Sequence, residues 1–158
     1  MQIWYMEPYP IGDRRMPHHV FPPKMLSVDQ LQNISGVIHY KVDLDDTVAM
    51  KKRISRIRSD RNQVPIDVLT LDENVKDLET KLDDLYEPVE KQQEQVILVL
   101  DGAMYFDIEN EEDVWVRMLV ERGDIVIIPK GKPHRCTTTP KNCAKIQRFG
   151  VRSDPSQG

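Results

Sequence analysis

The sequence is poor in cysteine and in long apolar runs, and it has no excess of basic residues. Its 158 residues include two cysteines, Cys136 and Cys143, too few for a disulfide scaffold, so we expect free thiols. No apolar run approaches the ~20 residues of a transmembrane helix. The first ten residues lack the basic start and apolar centre of a signal peptide. These absences predict a cytoplasmic protein, with or without a nuclear pool, and no membrane partner.

The charge balance also argues against a dedicated nucleic-acid binder, because the formal net charge is -4. One predicted helix is nevertheless strongly basic, and its cations are Lys51, Lys52, Arg53, Arg56, Arg58 and Arg61. Such a cluster could bind an acidic partner or RNA, or it could be the solvated side of an amphipathic helix. We favour the second interpretation, a solvated helix face, because acidic stretches flank the cluster. We therefore predict a monomer with no nucleic-acid partner, and the sequence names no other partner.

Residues 1–86 predict an N-terminal α/β arm that packs on the rest of the chain. Its first 26 residues are rich in proline and aromatics and indicate an extended segment. Ser27 and Gln30 form a capping-box pattern, and Gly36 follows as a stop signal. In the second helix we expect Val48, Ile54 and Ile57 on the apolar side. The predicted elements are helices over 27–35, 47–61 and 74–86 and strands over 37–42 and 66–71.

Residues 87–150 change to short β-type runs separated by turn residues, which is typical of an antiparallel barrel or sandwich. The predicted strands are QVILVLDG, AMYFDIEN, VWVRMLVERGD, IVIIPKG, HRCTTT and AKIQRFGV. The polar residues 151–158 predict a frayed tail. We therefore expect one compact domain, mainly β with flanking helices, in which 87–150 is the barrel core.

The most specific pattern lies between Gly123 and His134. It has Gly123, five residues, Pro129, one residue, Gly131, two residues and His134. The glycines and the proline place tight turns on either side of a buried strand. This pattern resembles the second conserved motif of the cupin superfamily, which implies a double-stranded β-helix, or jelly-roll barrel. The resemblance implies that His134 opens a strand with its ring directed into the barrel.

Further segments narrow the resemblance to one family. They are Leu100-Asp101-Gly102, Tyr105-Phe106-Asp107, Trp4-Tyr5-Met6, Asp13-Arg14, Arg61-Asn62, Trp115 and Glu121-Arg122-Gly123-Asp124. Over about residues 2–150 the chain resembles acireductone dioxygenases, the iron- or nickel-dependent oxidoreductases of methionine salvage and L-methionine biosynthesis. The family also continues into an aromatic-rich segment beyond the point where this sequence stops, and we expect the lack of it to weaken catalysis.

The resemblance implies a metal held by three histidines and one carboxylate, and it places these ligands at four positions. Those positions hold Val89, Lys91, Gln95 and His134, so only His134 keeps the residue of the family. Valine has no lone pair, and the amide of Gln95 is a poor substitute for a carboxylate. A protonated Lys91 about 4 Å from a dication would repel it by roughly 8 kcal/mol at an effective dielectric of ~20.

Neighbouring residues offer little replacement for the missing ligands. Glu90 should point away from the barrel interior, because strand side chains alternate between faces, and only a one-residue register slip would bring a carboxylate inward. Cys136 should share the inward face with His134, so a vestigial two-ligand site for zinc or copper stays open. We otherwise expect no metal, no cofactor and no catalytic residue.

Three functions follow from these expectations. The first is an inactive relative of acireductone dioxygenase, a pseudoenzyme. The second is a working oxidoreductase with an altered metal site or chemistry, in which Lys91 acts as a cation or base beside His134. The third is a metal-free cupin that binds a small molecule or a protein.

Overall fold

The computed structural model describes residues 1–151, which form three helices and eight strands. The helices are α1 (Val28–Ser35), α2 (Thr47–Arg61) and α3 (Leu78–Tyr86). The strands are β1 (Gln2–Tyr5), β2 (Ile38–Lys41), β3 (Gln63–Leu71), β4 (Gln95–Glu111), β5 (Val114–Glu121), β6 (Asp124–Ile128), β7 (His134–Thr138) and β8 (Ala144–Val151). The predicted frayed tail, apart from Val151, lies outside the described residues. The mainly β architecture with flanking helices is confirmed.

The long strand β4 joins two halves of one curled antiparallel sheet. Its first half pairs with β6 and β8, and its second half pairs with β5 and β7. The strands that precede residue 87 extend these halves, because β1 pairs with β5, β2 with β6 and β3 with β8. The sheet therefore combines strands from both ends of the chain.

Side chains along β4 and its neighbouring strands alternate between the two faces of the sheet, so an apolar layer forms on each face. Inward-facing side chains such as Ile97, Phe106 and Ile146 form the central core, which α1 and α3 close with Leu31 and Leu82. A second layer lies on the outer face beneath α2, and it contains Val96, Leu98, Ile125, Ile127, Phe149 and Ile57. Burial on both faces stabilises the sheet.

The predicted start and stop of α1 are confirmed in detail. The Ser27 hydroxyl accepts a hydrogen bond from the Gln30 backbone N–H at 3.1 Å, and the Gln30 side chain accepts one from the Ser27 N–H at 2.8 Å. Gly36 ends the helix with φ +81°. The second predicted helix is also confirmed over 47–61, with Asp46 as its cap.

Four details of the sequence analysis are wrong. Val48 is 67% exposed in the first turn of α2, not on its apolar side. The third helix begins at Leu78 rather than residue 74, because the Asp72 carboxylate accepts from the Asn74 N–H and Asp77 adopts a left-handed φ of +58°.

Two predicted strands also differ from those in the structure. Two predicted runs form the single strand β4, which continues through Gly102 while it exchanges partners. The strand predicted over 66–71 begins earlier, at Gln63, since a bulge between Pro65 and Asp67 accommodates the proline.

Candidate functional site

A cavity of about 180 Å³ opens into the central core, and we call it the barrel cavity. Its apolar wall consists of Leu85, Val89, Ile97, Phe106 and Ile146. Its polar lining consists of Asp84, Glu87, Lys91, Gln95, His134, Arg135, Cys136 and Arg148. All four positions that the resemblance assigns to metal ligands, together with Cys136, thus lie around one cavity.

His134 opens β7 and is 8% exposed. Its Nδ1 lies 3.0 Å from the Lys132 carbonyl oxygen, which can only accept, so Nδ1 carries the hydrogen of the neutral ring. Burial lowers the pKa of His134, and the nearby Lys91 ammonium lowers it further. The neutral ring presents the Nε2 lone pair, so this position alone retains a nitrogen ligand.

Val89, which lies outside the named strands, forms an isolated antiparallel bridge with His134, the first residue of β7. Each residue donates its backbone N–H to the carbonyl of the other at 2.9 Å. Residues paired in this way project their side chains to the same face, with Cα atoms about 5.5 Å apart. Val89 therefore occupies the position from which a second ligand would face His134, and its side chain has no lone pair.

Lys91 and Gln95 line the same cavity from the chain that leads into β4. The Gly131 N–H donates to the Lys91 carbonyl oxygen at 2.9 Å, which fixes the backbone at that position, while the side chain is exposed. Gln95 opens β4, where it pairs with Ile128 of β6. A lysine and a neutral amide thus stand at the positions where the resemblance implies an imidazole and a carboxylate.

The two neighbouring glutamates do not reach the cavity. Glu90 is exposed and is not part of the lining. Glu94 points toward α2, where its carboxylate accepts from Arg61 at 2.8 Å. Neither carboxylate substitutes for the missing one.

Cys136 lies two residues beyond His134 and packs against the central core. Burial, assisted by the negative charge of Asp107, raises the pKa of its thiol to about 12, so the thiolate that binds metal is absent at neutral pH. Within residues 1–151 no group of three His, Cys, Asp or Glu side chains is arranged to hold a metal ion. The residues present do not fit the metal that the family implies.

A buried ionic network centred on Asp107 of β4 was not identified from the sequence. The Asp107 carboxylate accepts from Arg117 at 2.7 Å and from Arg135 at 3.0 Å, and Asp107 and Arg117 are both fully buried. Arg135 also stacks on the Trp115 ring at 4.1 Å. A signal was present, because single charges interrupt the apolar runs MYFDI and VWVRMLV. This network supports the sheet beside the cavity.

The cations of α2 lie on a different surface, and part of their charge is neutralised. Arg61 pairs with Glu94, and Arg56 lies 3.7 Å from Asp60. Arg53 stacks over the Tyr40 ring at 5.0 Å. Among the helices within residues 1–151, none has the length and apolar character of a membrane span.

Comparison with known proteins connects this geometry to a family. A family model described as ARD/ARD' family matches residues 2–156. A Caenorhabditis elegans protein named "Probable inactive acireductone dioxygenase 1" is 50% identical over 152 residues, which cover 96% of each chain. The human "Acireductone dioxygenase" is 34% identical over 152 residues, 96% of this chain and 83% of that one.

A solved structure bears on the fold alone. "Acireductone dioxygenase from Bacillus anthracis with cadmium ion in active center" superposes with a TM-score of 0.76 at 17% identity, covering 96% of this chain and 93% of that one. The predicted cupin-type barrel is thereby confirmed. On the family match and these identities, the chain belongs to the acireductone dioxygenase family.

Proposed function

We propose that this chain is an inactive member of the acireductone dioxygenase family that neither holds the metal nor carries out the dioxygenase reaction. The observation that carries the proposal is the set of side chains around the barrel cavity: beside His134 it contains Val89, Lys91 and Gln95, at the three other positions that the family resemblance assigns to metal ligands. Relatives from two Caenorhabditis species, each 50% identical to this chain, also carry names that describe them as probably inactive.

The physical reason is the loss of chelation together with the gain of a charge. One imidazole binds a divalent metal weakly, because tight sites need several ligands held together. A Lys91 ammonium at the same cavity repels a dication. The Cys136 thiol would first have to lose a proton whose pKa is about 12. We infer that neither the original site nor a two-ligand site at His134 and Cys136 competes for metal.

A working enzyme that uses Lys91 as a base is less well supported. That role needs a lysine in a low-dielectric environment, whereas the Lys91 side chain is exposed. The proposed monomeric state, the cytoplasmic location and the lack of a nucleic-acid partner stay predictions.

Rebuilding the ligand set tests the proposal. The triple variant Val89→His, Lys91→His and Gln95→Glu should bind Fe(II) or Ni(II) with a Kd of about 1 μM or tighter, because residue 89 already faces His134. Each single change should gain little. Calorimetric titration of chelator-treated protein measures the affinity, and circular dichroism checks the fold. A folded triple variant that binds no more tightly than the parent, or a parent that binds tightly, would overturn the proposal.

A further inference from the structure

The helix α2 carries a serine in the middle of its basic residues. Lys52 and Arg53 lie three and two positions before Ser55, and Arg56 follows it directly. The run KKRISRIRS, which extends four residues on either side of this serine, contains no acidic residue. Protein kinases select their substrates partly by such charge patterns, and basophilic kinases require basic residues before the target hydroxyl. The surroundings of Ser55 therefore have the charge pattern of a basophilic kinase substrate.

The position of Ser55 in a helix determines how a kinase can reach it. Ser55 is exposed, as are Lys52 and Arg53. The buried residue that anchors α2 is Ile57, whereas the turns before Ser55 contribute only partly buried side chains to the outer layer. Because a kinase binds its substrate as an extended segment, this part of α2 must unwind, and a segment with few buried apolar contacts does so at low cost in free energy.

A cavity of about 330 Å³ lies beside Ser55 at the carboxyl end of α2, and we call it the helix-end cavity. Its lining residues are Ser55, Arg58, Ser59, Asn62 and Gln63, none of which carries a carboxylate. Arg58 follows Ser55 by three residues, and side chains at this spacing are neighbours on a helix. Its Nε donates to the Gln63 carbonyl oxygen at 3.3 Å. It makes no ion pair with any residue in the range 1–151, so its charge is available to a phosphate on Ser55.

The second serine of the helix, Ser59, has less favourable surroundings. Asp60 follows it directly, and the Asp60 carboxylate lies 3.7 Å from Arg56, the basic residue three positions before Ser59. Ser59 also lies in the last turn of α2, where the carbonyl end of the helix disfavours added negative charge. Ser55 is therefore the better acceptor of a phosphoryl group.

We propose that Ser55 is phosphorylated by a basophilic serine kinase and that Arg58 pairs with the phosphate at the helix-end cavity. The Ser55 hydroxyl oxygen attacks the γ-phosphorus of ATP, the bond from that phosphorus to the departing ADP breaks, and the hydroxyl proton passes to a carboxylate of the kinase. The phosphate adds a charge of about −1.5 to −2 to a basic surface at neutral pH. The inference is independent of the proposed function, because the helix-end cavity shares no lining residue with the barrel cavity.

Treatment of the full chain with ATP, Mg²⁺ and the catalytic subunit of cAMP-dependent protein kinase tests the modification. Intact mass should show one phosphoryl group per chain, and peptide mapping should place it on Ser55. Ser55→Ala should abolish the incorporation, whereas Ser59→Ala should preserve it. Arg53→Gln should slow it about tenfold or more, because a charge-assisted contact with the kinase is lost. The exposed Lys81→Gln in α3 is the matched control and should have no effect.

A change in the stability of α2 tests the requirement for unwinding. The exposed Ala49→Gly weakens the helix without touching Ser55 or the basic residues before it, so it should speed phosphorylation of the full chain. A parent chain that stays unmodified, a phosphate located on Ser59, or equal rates for the parent and Arg53→Gln would overturn the assignment of Ser55.

Phosphorus NMR of the phosphorylated chain tests the pairing with Arg58. The second pKa of phosphoserine is about 6, and a neighbouring guanidinium favours the dianion. The pKa of the phosphate should therefore be about 0.5 unit or more lower in the folded chain than in the same chain unfolded in urea. Arg58→Gln should reduce this difference, whereas Arg56→Gln, which removes the cation paired with Asp60, should change it less. Equal phosphate pKa values in the parent and Arg58→Gln would contradict the pairing.

Discussion

Asp107 and Arg117 form an ion pair with no solvent exposure of either side chain. The Arg117 guanidinium also donates to the Arg14 carbonyl oxygen at 2.8 Å and to the Tyr86 hydroxyl at 3.2 Å. Removing one partner from such a pair leaves an uncompensated buried charge, which is far more destabilising than the loss of an exposed pair. The network therefore affects stability mainly because the loss of one partner would leave the other as an unpaired buried charge.

The change Asp107→Asn should lower the free energy of unfolding by about 3–5 kcal/mol. The matched control is Asp45→Asn, which removes the exposed partner of Arg122 and should cost less than about 1 kcal/mol. Urea denaturation followed by circular dichroism measures both. Equal effects of the two changes would contradict the role given to the network.

Asp124 is a second buried carboxylate, and it connects stability to pH. Burial alone would raise its pKa, but the His39 ring at 2.8 Å, the Glu121 N–H at 2.9 Å and the nearby Lys41 ammonium bring the pKa below its ordinary value. A carboxyl whose pKa is lower in the folded state stabilises the fold above the unfolded pKa of about 3.9. That stabilisation is lost as pH falls through the folded pKa.

We expect Asp124→Asn to be most destabilising above pH ~4, with a difference from the parent that shrinks at lower pH. Chemical denaturation of both proteins at several pH values between about 2 and 6 measures this difference. A difference that stays constant across that range would show that Asp124 has the same pKa in the folded and unfolded states.

At the scale of elements, Gly102 lets β4 change partners in mid-strand. Its φ is +69°, and a Cβ at this position would lie 2.0 Å from the Cys143 carbonyl oxygen. Gly131 has a similar φ of +77°, but an added Cβ there meets no atom within 4 Å. Both glycines adopt a left-handed backbone conformation, but only Gly131 has room for an added Cβ.

Gly131→Ala should therefore cost about 1–2 kcal/mol for the left-handed conformation alone. Gly102→Ala should cost clearly more, because backbone atoms of the facing segment must also move. Thermal unfolding of both variants is the measurement. A smaller loss for Gly102→Ala than for Gly131→Ala would show that the strand adapts at this point.

Elements with strong local signals were predictable, and elements set by distant partners were not. The capping residues of α1 fix its ends within the chain itself, so the sequence sufficed. The exposure of Val48 depends on where α2 meets the sheet, and the basic residues around it give little periodicity. The continuity of β4 depends on pairing with four other strands, which no local pattern contains.

In the candidate site, too, residues fixed by a local pattern were predictable and residues set by distant partners were not. The spacing from Gly123 to His134 identified one position, because it encodes two turns and a strand. The ion pair of Asp107 with Arg117 was missed, since it depends on the register of β4 with β5. Whether Lys91 is buried or exposed also depends on the assembled barrel.

At the scale of the whole molecule, the N-terminal part and the barrel core support each other. β1 pairs with β5 through the register Trp4 to Arg117, and the segment after it supplies the carbonyl oxygens that Arg117 contacts. We propose that residues 1–86 pack on the barrel core to form one compact domain. In that proposal these contacts join the N-terminal part to the barrel core. Apolar burial on both faces of the sheet stabilises the barrel.

Metal content is the most direct test of the claim that the barrel has lost its metal site. The full chain, purified without chelator, is dialysed against Fe(II) under anaerobic conditions or against Ni(II), passed through a desalting column and analysed by plasma mass spectrometry. We predict far less than one equivalent of metal per chain, since Val89, Lys91 and Gln95 stand at three of the four positions that the resemblance assigns to metal ligands. A stoichiometric metal that survives desalting would contradict the account.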